Sequence, residues 1–150
     1  VEANYFAAEL LMPEDIFGKK IQGKLLTKDL LKSLAKEFQT SLTATAIRFV
    51  TLRPEYALVC STDFVIKWFV INGEEFRYFL NTKGKVHSES LAHDFFKCEE
   101  LPDRFFPVSA EAWIWNGRIR GRGQLKELSI GSRDYNQVLS FLYIDEENDY

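Results

Sequence analysis

LTATAIRFVTLRPEYALVCSTDFVIKWFVI (residues 42–71) changes hydrophobic period in its middle, and that change decides the fold. Before Arg53-Pro54 the text is helical. Ser41 is a good N-cap for a helix from Leu42 to Leu52. Proline disfavours helical geometry in the residue before it, so Arg53-Pro54 closes that helix. Beyond it, ALVC (57–60), VIKWFVI (65–71) and FRYFL (76–80) are rich in β-branched and aromatic residues and read as strands. Aromatics concentrate on this side; only Tyr5, Phe6, Phe17, Phe38 and Phe49 precede Pro54.

Toward the N-terminus, Ala3, Phe6, Ala7, Leu10 and Leu11 recur with helical spacing. Pro13 ends that helix and can open the next, whose first residues Glu14 and Asp15 suit a helix N-terminus. IQGK (21–24) is a break. Thr27 can cap another helix, with Leu30, Leu31, Leu34, Ala35 and Phe38 as its buried stripe and Lys28, Lys32 and Lys36 opposite. QTS (39–41) joins it to the helix of the opening stretch. Toward the C-terminus, NTKGK (81–85) is a turn, Ser88 to Phe96 a helix and LPDRFFP (101–107) a loop. VSAEAWIW (108–115) is expected to be a strand ending at the turn Asn116-Gly117, and QLKELSI (124–130) and VLSFLYI (138–144) are the last strands. The expected class is α+β: a helical, helix-turn-helix-like module over 1–53, then a mainly antiparallel module with one or two helices over 54–150.

Composition supports a packed core, with 46% hydrophobic and 15% aromatic residues. A net charge of -3 gives no general attraction to nucleic acid or anionic membrane. No apolar run approaches the roughly 18 residues of a membrane span. Cys60 and Cys98 form no CxxC, and reduced thiols in the cytoplasm are the expectation.

Four features bear on chemistry. The helical pair has the size of a helix-turn-helix, so Lys28, Lys32 and Lys36 are candidates for phosphate contact and Thr43 and Arg48 for a groove. Against this, Gln39 occupies a turn position that usually takes glycine, Thr45 one that usually takes a buried aliphatic, and base reading leans on more bidentate side chains. DNA contact is therefore the less favoured reading, and packing or partner docking the favoured one. GRIRGRGQLK (117–126) has three arginines among three glycines but no phosphate-loop spacing; it reads as a solvated connection, with an acidic partner as the sharper reading. Glu127 and Ser129 share a strand face with no histidine near in sequence, which suits a ladder pair or cap. Trp68, Trp113 and Trp115 serve either as core or as lining of a ligand pocket.

The opening EANYFAAELLMP (2–13), with Phe17 after it, resembles the segment downstream of the HExxH helix in the ImmA/IrrE-like zinc metallopeptidases. LLKSLAKEFQTSLTATAIRFVTL (30–52) is similar to that family's next helices, and ALVCS, AEAW and LKELS…VLSFLYI more loosely to its C-terminal module. The resemblance implies that Glu2 is the third zinc ligand beside two histidines of HExxH, and that zinc-activated water attacks a peptide bond. It implies a regulatory enzyme that cleaves helix-turn-helix repressors of the phage or stress-response type, with a C-terminal module likened to a GAF-type sensor. This sequence contains no HExxH. Its only histidines, His87 and His93, are six apart and would face different sides of a helix. The expectation is a C-terminal fragment whose catalytic helix lies upstream of Val1. It should be inactive alone, with no catalytic residue and no cofactor of its own, and should serve substrate positioning or signal sensing. The alternative is a non-enzymatic module that binds DNA or senses a small ligand. Phe6, Leu10 and Leu11, on a helix that would pack in the larger protein, are expected to favour self-association.

Overall fold

The computed structural model describes the backbone of residues 2–146 and the side chains of residues 7–146. Its class is α+β. Four helices come first: α1 (Glu2–Leu11), α2 (Glu14–Ile21), α3 (Lys28–Phe38) and α4 (Leu42–Leu52). A five-stranded sheet follows, with β1 (Ala57–Thr62), β2 (Val65–Val70), β3 (Phe106–Pro107), β4 (Gln124–Ser132) and β5 (Gln137–Asp145). A short helix, α5 (Leu91–Phe96), and a 3₁₀ turn (Ala110–Ala112) lie between β2 and β4.

Local chemistry sets the boundaries. Thr27 and Ser41 accept hydrogen bonds from the amides of Leu30 and Ala44, capping α3 and α4. Gln39 ends α3 in the left-handed conformation at φ 54° and so takes the place of the usual glycine. Asp63 and Phe64 both have positive φ, giving β1 and β2 the two-residue turn whose twist matches a hairpin.

The strand order is β2-β1-β5-β4-β3, antiparallel throughout. Both faces of its centre are covered. Leu58, Cys60, Leu128, Ile130, Leu139 and Phe141 face the helices and pack with Phe17, Leu31, Leu34, Phe49 and Tyr56. Ala57, Val59, Leu125, Val138 and Leu142 face the other way, onto Ala92, Phe95 and Phe96 of α5 and onto Phe76, Trp113 and Ile114. The change of period at residue 53 marks the passage from helices to sheet, and the apolar packing is continuous across it. Phe49 of α4 meets Phe141 of β5 edge-on, ring centroids 6.2 Å apart.

Two expected strands are absent. FRYFL (76–80) and VSAEAWIW (108–115) form an irregular cover joined by a single bridge, Leu80 with Ile114. Their aromatics are there to cover a sheet face, which demands apolar bulk and no ladder of its own. The loop LPDRFFP, conversely, contains the two-residue β3. This strand sits at the sheet edge, where proline's missing N–H leaves no gap in the ladder.

Gly131 is required by a close approach. A Cβ there would lie 1.9 Å from the Phe95 ring. Gly131→Ala should destabilise the protein by about 1–3 kcal/mol through overpacking. Urea unfolding measures this directly, and an unchanged midpoint would show that Phe95 can move aside.

Candidate functional site

The stretch expected to border a metal centre is α1. Glu2 lies on this helix, and its side chain lies outside the described residues. What is described is how α1 is held. Arg48 of α4 is 2% exposed, and its Nε donates to the Met12 carbonyl at 2.9 Å. Its Nη2 donates to Glu9 at 2.7 Å and pairs with it. The guanidinium thus takes up a carbonyl just past the C-terminus of α1, where helical carbonyls lack internal partners. Met12 is buried beneath it. Arg48 is a brace between α1 and α4.

The groove-reading role expected of Arg48 is at odds with this burial: its Nε and Nη2 are bonded to Met12 and Glu9. Helix α4 also buries Thr45, Ala46, Phe49 and Val50, packing between α3 and the sheet. Thr45 is buried as a hydroxyl that bonds Thr40 and the Ser41 carbonyl at 2.8 and 2.7 Å. Thr43 is half-buried. Lys32 and Lys36 are exposed on α3, while Lys28 is half-buried, 3.9 Å from Asp103. The structure therefore does not bring Lys28, Lys32, Lys36, Thr43 and Arg48 together as one surface.

A second constellation lies under α5. Glu127 of β4 is fully buried and accepts four hydrogen bonds. The Leu91 amide (3.1 Å) and the Trp113 indole N–H (2.6 Å) donate to Oε1; the Ala92 amide (2.9 Å) and the Ser129 hydroxyl (2.6 Å) reach Oε2. Ser129 and Ser140 hydroxyls are 2.7 Å apart across β4 and β5. Burial pushes the Glu127 carboxyl above its usual range, and the four donors pull it partly back. The carboxylate caps α5 from below while Ser90 caps it from its own chain, accepting from His93 N at 3.1 Å. The network is closed to solvent and holds structure together; it presents nothing to a substrate.

The remaining candidates separate. His87 accepts from the Glu89 amide, and His93 lies edge-on to Phe64. Among the described residues no group of three His, Cys, Asp or Glu could hold a metal. Cys60 is buried and Cys98 exposed, and both are free. Burial raises the Cys60 thiol's pKa, which opposes reactivity. Trp113 is core and Trp68 packs against the helical face of the sheet, so neither lines a ligand cavity. Trp115 alone of the three is open to solvent.

Sequence reasoning missed the brace; it offered a cap for Glu127 and Ser129 without saying that α5 is what Glu127 caps. Arg48 carried a signal: it falls between Thr45-Ala46 and Phe49-Val50, on a face too apolar to be solvated. Glu127 carried less, because a strand residue's partners on another element are invisible along the chain.

Residues 1–50 match the family model Peptidase_M78, described as the IrrE N-terminal-like domain. The likeness to the ImmA/IrrE family holds over that first third of the chain. No curated protein matches the sequence. No helix among the described residues is long and apolar enough to cross a membrane.

Two predictions follow from these contacts. Arg48→Ala should cost about 1–3 kcal/mol, because it strands the Met12 carbonyl. Amide exchange along α1 should accelerate; unchanged protection there would remove the brace. Glu127→Gln turns an acceptor into a donor facing donors and should cost a similar amount, about 1–3 kcal/mol at pH 7. The pH dependence has a definite sign. A carboxyl whose folded pKa lies above its unfolded value of about 4.3 holds its proton more tightly when folded. Its contribution is therefore greatest at low pH and declines as pH rises from the unfolded pKa through the folded one. The stability difference between wild type and Glu127→Gln, from urea unfolding at pH 4 to 8, should shrink as pH rises. Growth with pH would contradict the upward shift.

Proposed function

We propose that this chain is the C-terminal part of a regulatory zinc metallopeptidase of the ImmA/IrrE type, acting on helix-turn-helix repressors, and that its role is to seat the metal-bordering helix and position the protein substrate. The supporting observation is the coincidence of the family match over residues 1–50 with the Arg48 brace. The buried guanidinium fastens the helix that carries Glu2 to a body built on the sheet. In this reading Glu2 contributes one ligand. The HExxH histidines and the general base come from a segment this sequence does not contain, and no catalytic step is assigned to the chain itself.

The same geometry ranks the other readings. A DNA-contacting role would be carried by Lys32 and Lys36 on α3, since α4 is committed to the interior. A sensing role would not use Trp68 or Trp113, which are packed.

The test uses the gene. An HExxH codon run should precede Val1. In the protein carrying it, Glu2→Gln should lower bound zinc per molecule, and repressor cleavage should fall at least tenfold. Arg48→Ala should reduce cleavage less, by loosening α1. A Lys32→Ala/Lys36→Ala variant should keep both zinc and cleavage. Full zinc occupancy in Glu2→Gln would remove the ligand assignment, and absence of HExxH would remove the peptidase reading.

A further inference from the structure

On the loop cover beyond the sheet, an open cleft of about 1140 Å³ is lined by the two stretches Glu75–Phe79 and Ile114–Gly123, with Glu55, Ile144 and Glu146. Four exposed arginines border it: Arg77, Arg118, Arg120 and Arg122. Among the described residues none of them forms an ion pair. Two aromatics stand out beside them, Trp115 at 76% and Phe79 at 86% exposure. A smaller apolar recess shares Phe76 to Phe79 and adds Phe69, itself 50% exposed. The backbone under this surface is organised. Phe79 and Trp115 are held side by side, because the Trp115 amide donates to the Phe79 carbonyl at 2.8 Å. The Arg120 amide donates to the Tyr78 hydroxyl at 3.2 Å.

Large exposed aromatics are costly to leave in water, and beside arginines they have the composition of protein-binding hot spots. Three properties identify the occupant. The cleft is open and lies at the upper end of the roughly 300–1,000 Å³ of small-molecule sites, which leaves room for an extended segment. Guanidinium groups form paired hydrogen bonds with carboxylates. The three glutamates in the lining, Glu55, Glu75 and Glu146, oppose the unbroken negative charge of a nucleic-acid backbone, as does the net charge of -3 on the whole chain. A polypeptide can place its spaced carboxylates on the arginines and away from these glutamates, of which Glu55 is already paired with Arg53.

We infer that this cleft is a docking site for an extended, acidic segment of a partner protein, with an aliphatic or aromatic anchor seated between Trp115 and Phe79 and carboxylates on the flanking arginines. The inference stands on the cleft alone and does not require peptidase activity. Glycines frame the arginines. Gly121 sits at φ 65°, and Gly123 has Ile119 and Ile144 against it, so the loop's path is set by backbone while its side chains stay available.

A display library of random twelve-residue peptides, selected on the 150-residue chain, tests this. Selected peptides should be enriched in Asp and Glu around one apolar anchor. A labelled selected peptide should bind at least fivefold more weakly to Trp115→Ala and to an Arg118→Ala/Arg122→Ala variant. Affinity should also fall as salt rises. Both variants change exposed side chains, and unaltered thermal melts would confirm that they fold. Labelled oligo-dT, measured in parallel by anisotropy, should bind more weakly than the peptide. No enrichment, enrichment indifferent to both variants, or tighter oligo-dT binding would each overturn the proposal.

Discussion

A carboxylate removed from water governs how one face of this sheet is covered. Glu127 sits in β4 among apolar neighbours, where an unsatisfied charge would cost several kcal/mol. Its four acceptor positions are filled from three places: the first amides of α5, the indole of Trp113 and the adjacent Ser129. Two of those donors open the short helix α5, one lies beside Glu127 on β4, and the indole belongs to the irregular cover. The carboxylate therefore does for the loop-rich side what a hydrogen-bond ladder does for the strands.

The opposite face is organised by apolar packing. Helices α2 to α4 supply bulk to Leu58, Phe141 and Ile130, and one buried cation, Arg48, holds α1 on the outside of that layer. Here a polar group again fixes what hydrophobic burial alone would leave loose, since burial is nondirectional and a guanidinium bonded to a carbonyl is not. The two anchors serve different ends. One stabilises the helix that borders the proposed metal centre; the other holds α5 and Trp113 against the sheet.

The proposed division of labour fits this layout. Substrate recognition and catalysis need not share a module, and a rigid body behind a ligand-bearing helix limits the motion that would misplace the ligand. The arginine cleft, on the far side of the sheet from α2 to α4, is a separate proposed binding surface.

Much of the architecture was legible in order along the chain. The caps at Thr27 and Ser41, the stop at Arg53-Pro54, the stripe of α3 and the strands 57–60, 65–71, 124–130 and 138–144 all follow from local spacing, because capping and periodicity act within a few residues. Residues 76–80 and 108–115 misled because aromatic enrichment measures burial, and burial against a sheet resembles membership in one. Arg48 misled because a cation on a helix is read as solvated unless its partners are known, and they are 36 and 39 residues away. What the sequence alone determined was the class, the helix-to-sheet transition and the family likeness at its N-terminal end. Only the tertiary structure decided where the charges went, because desolvation and hydrogen-bond satisfaction are settled between elements that the chain holds far apart.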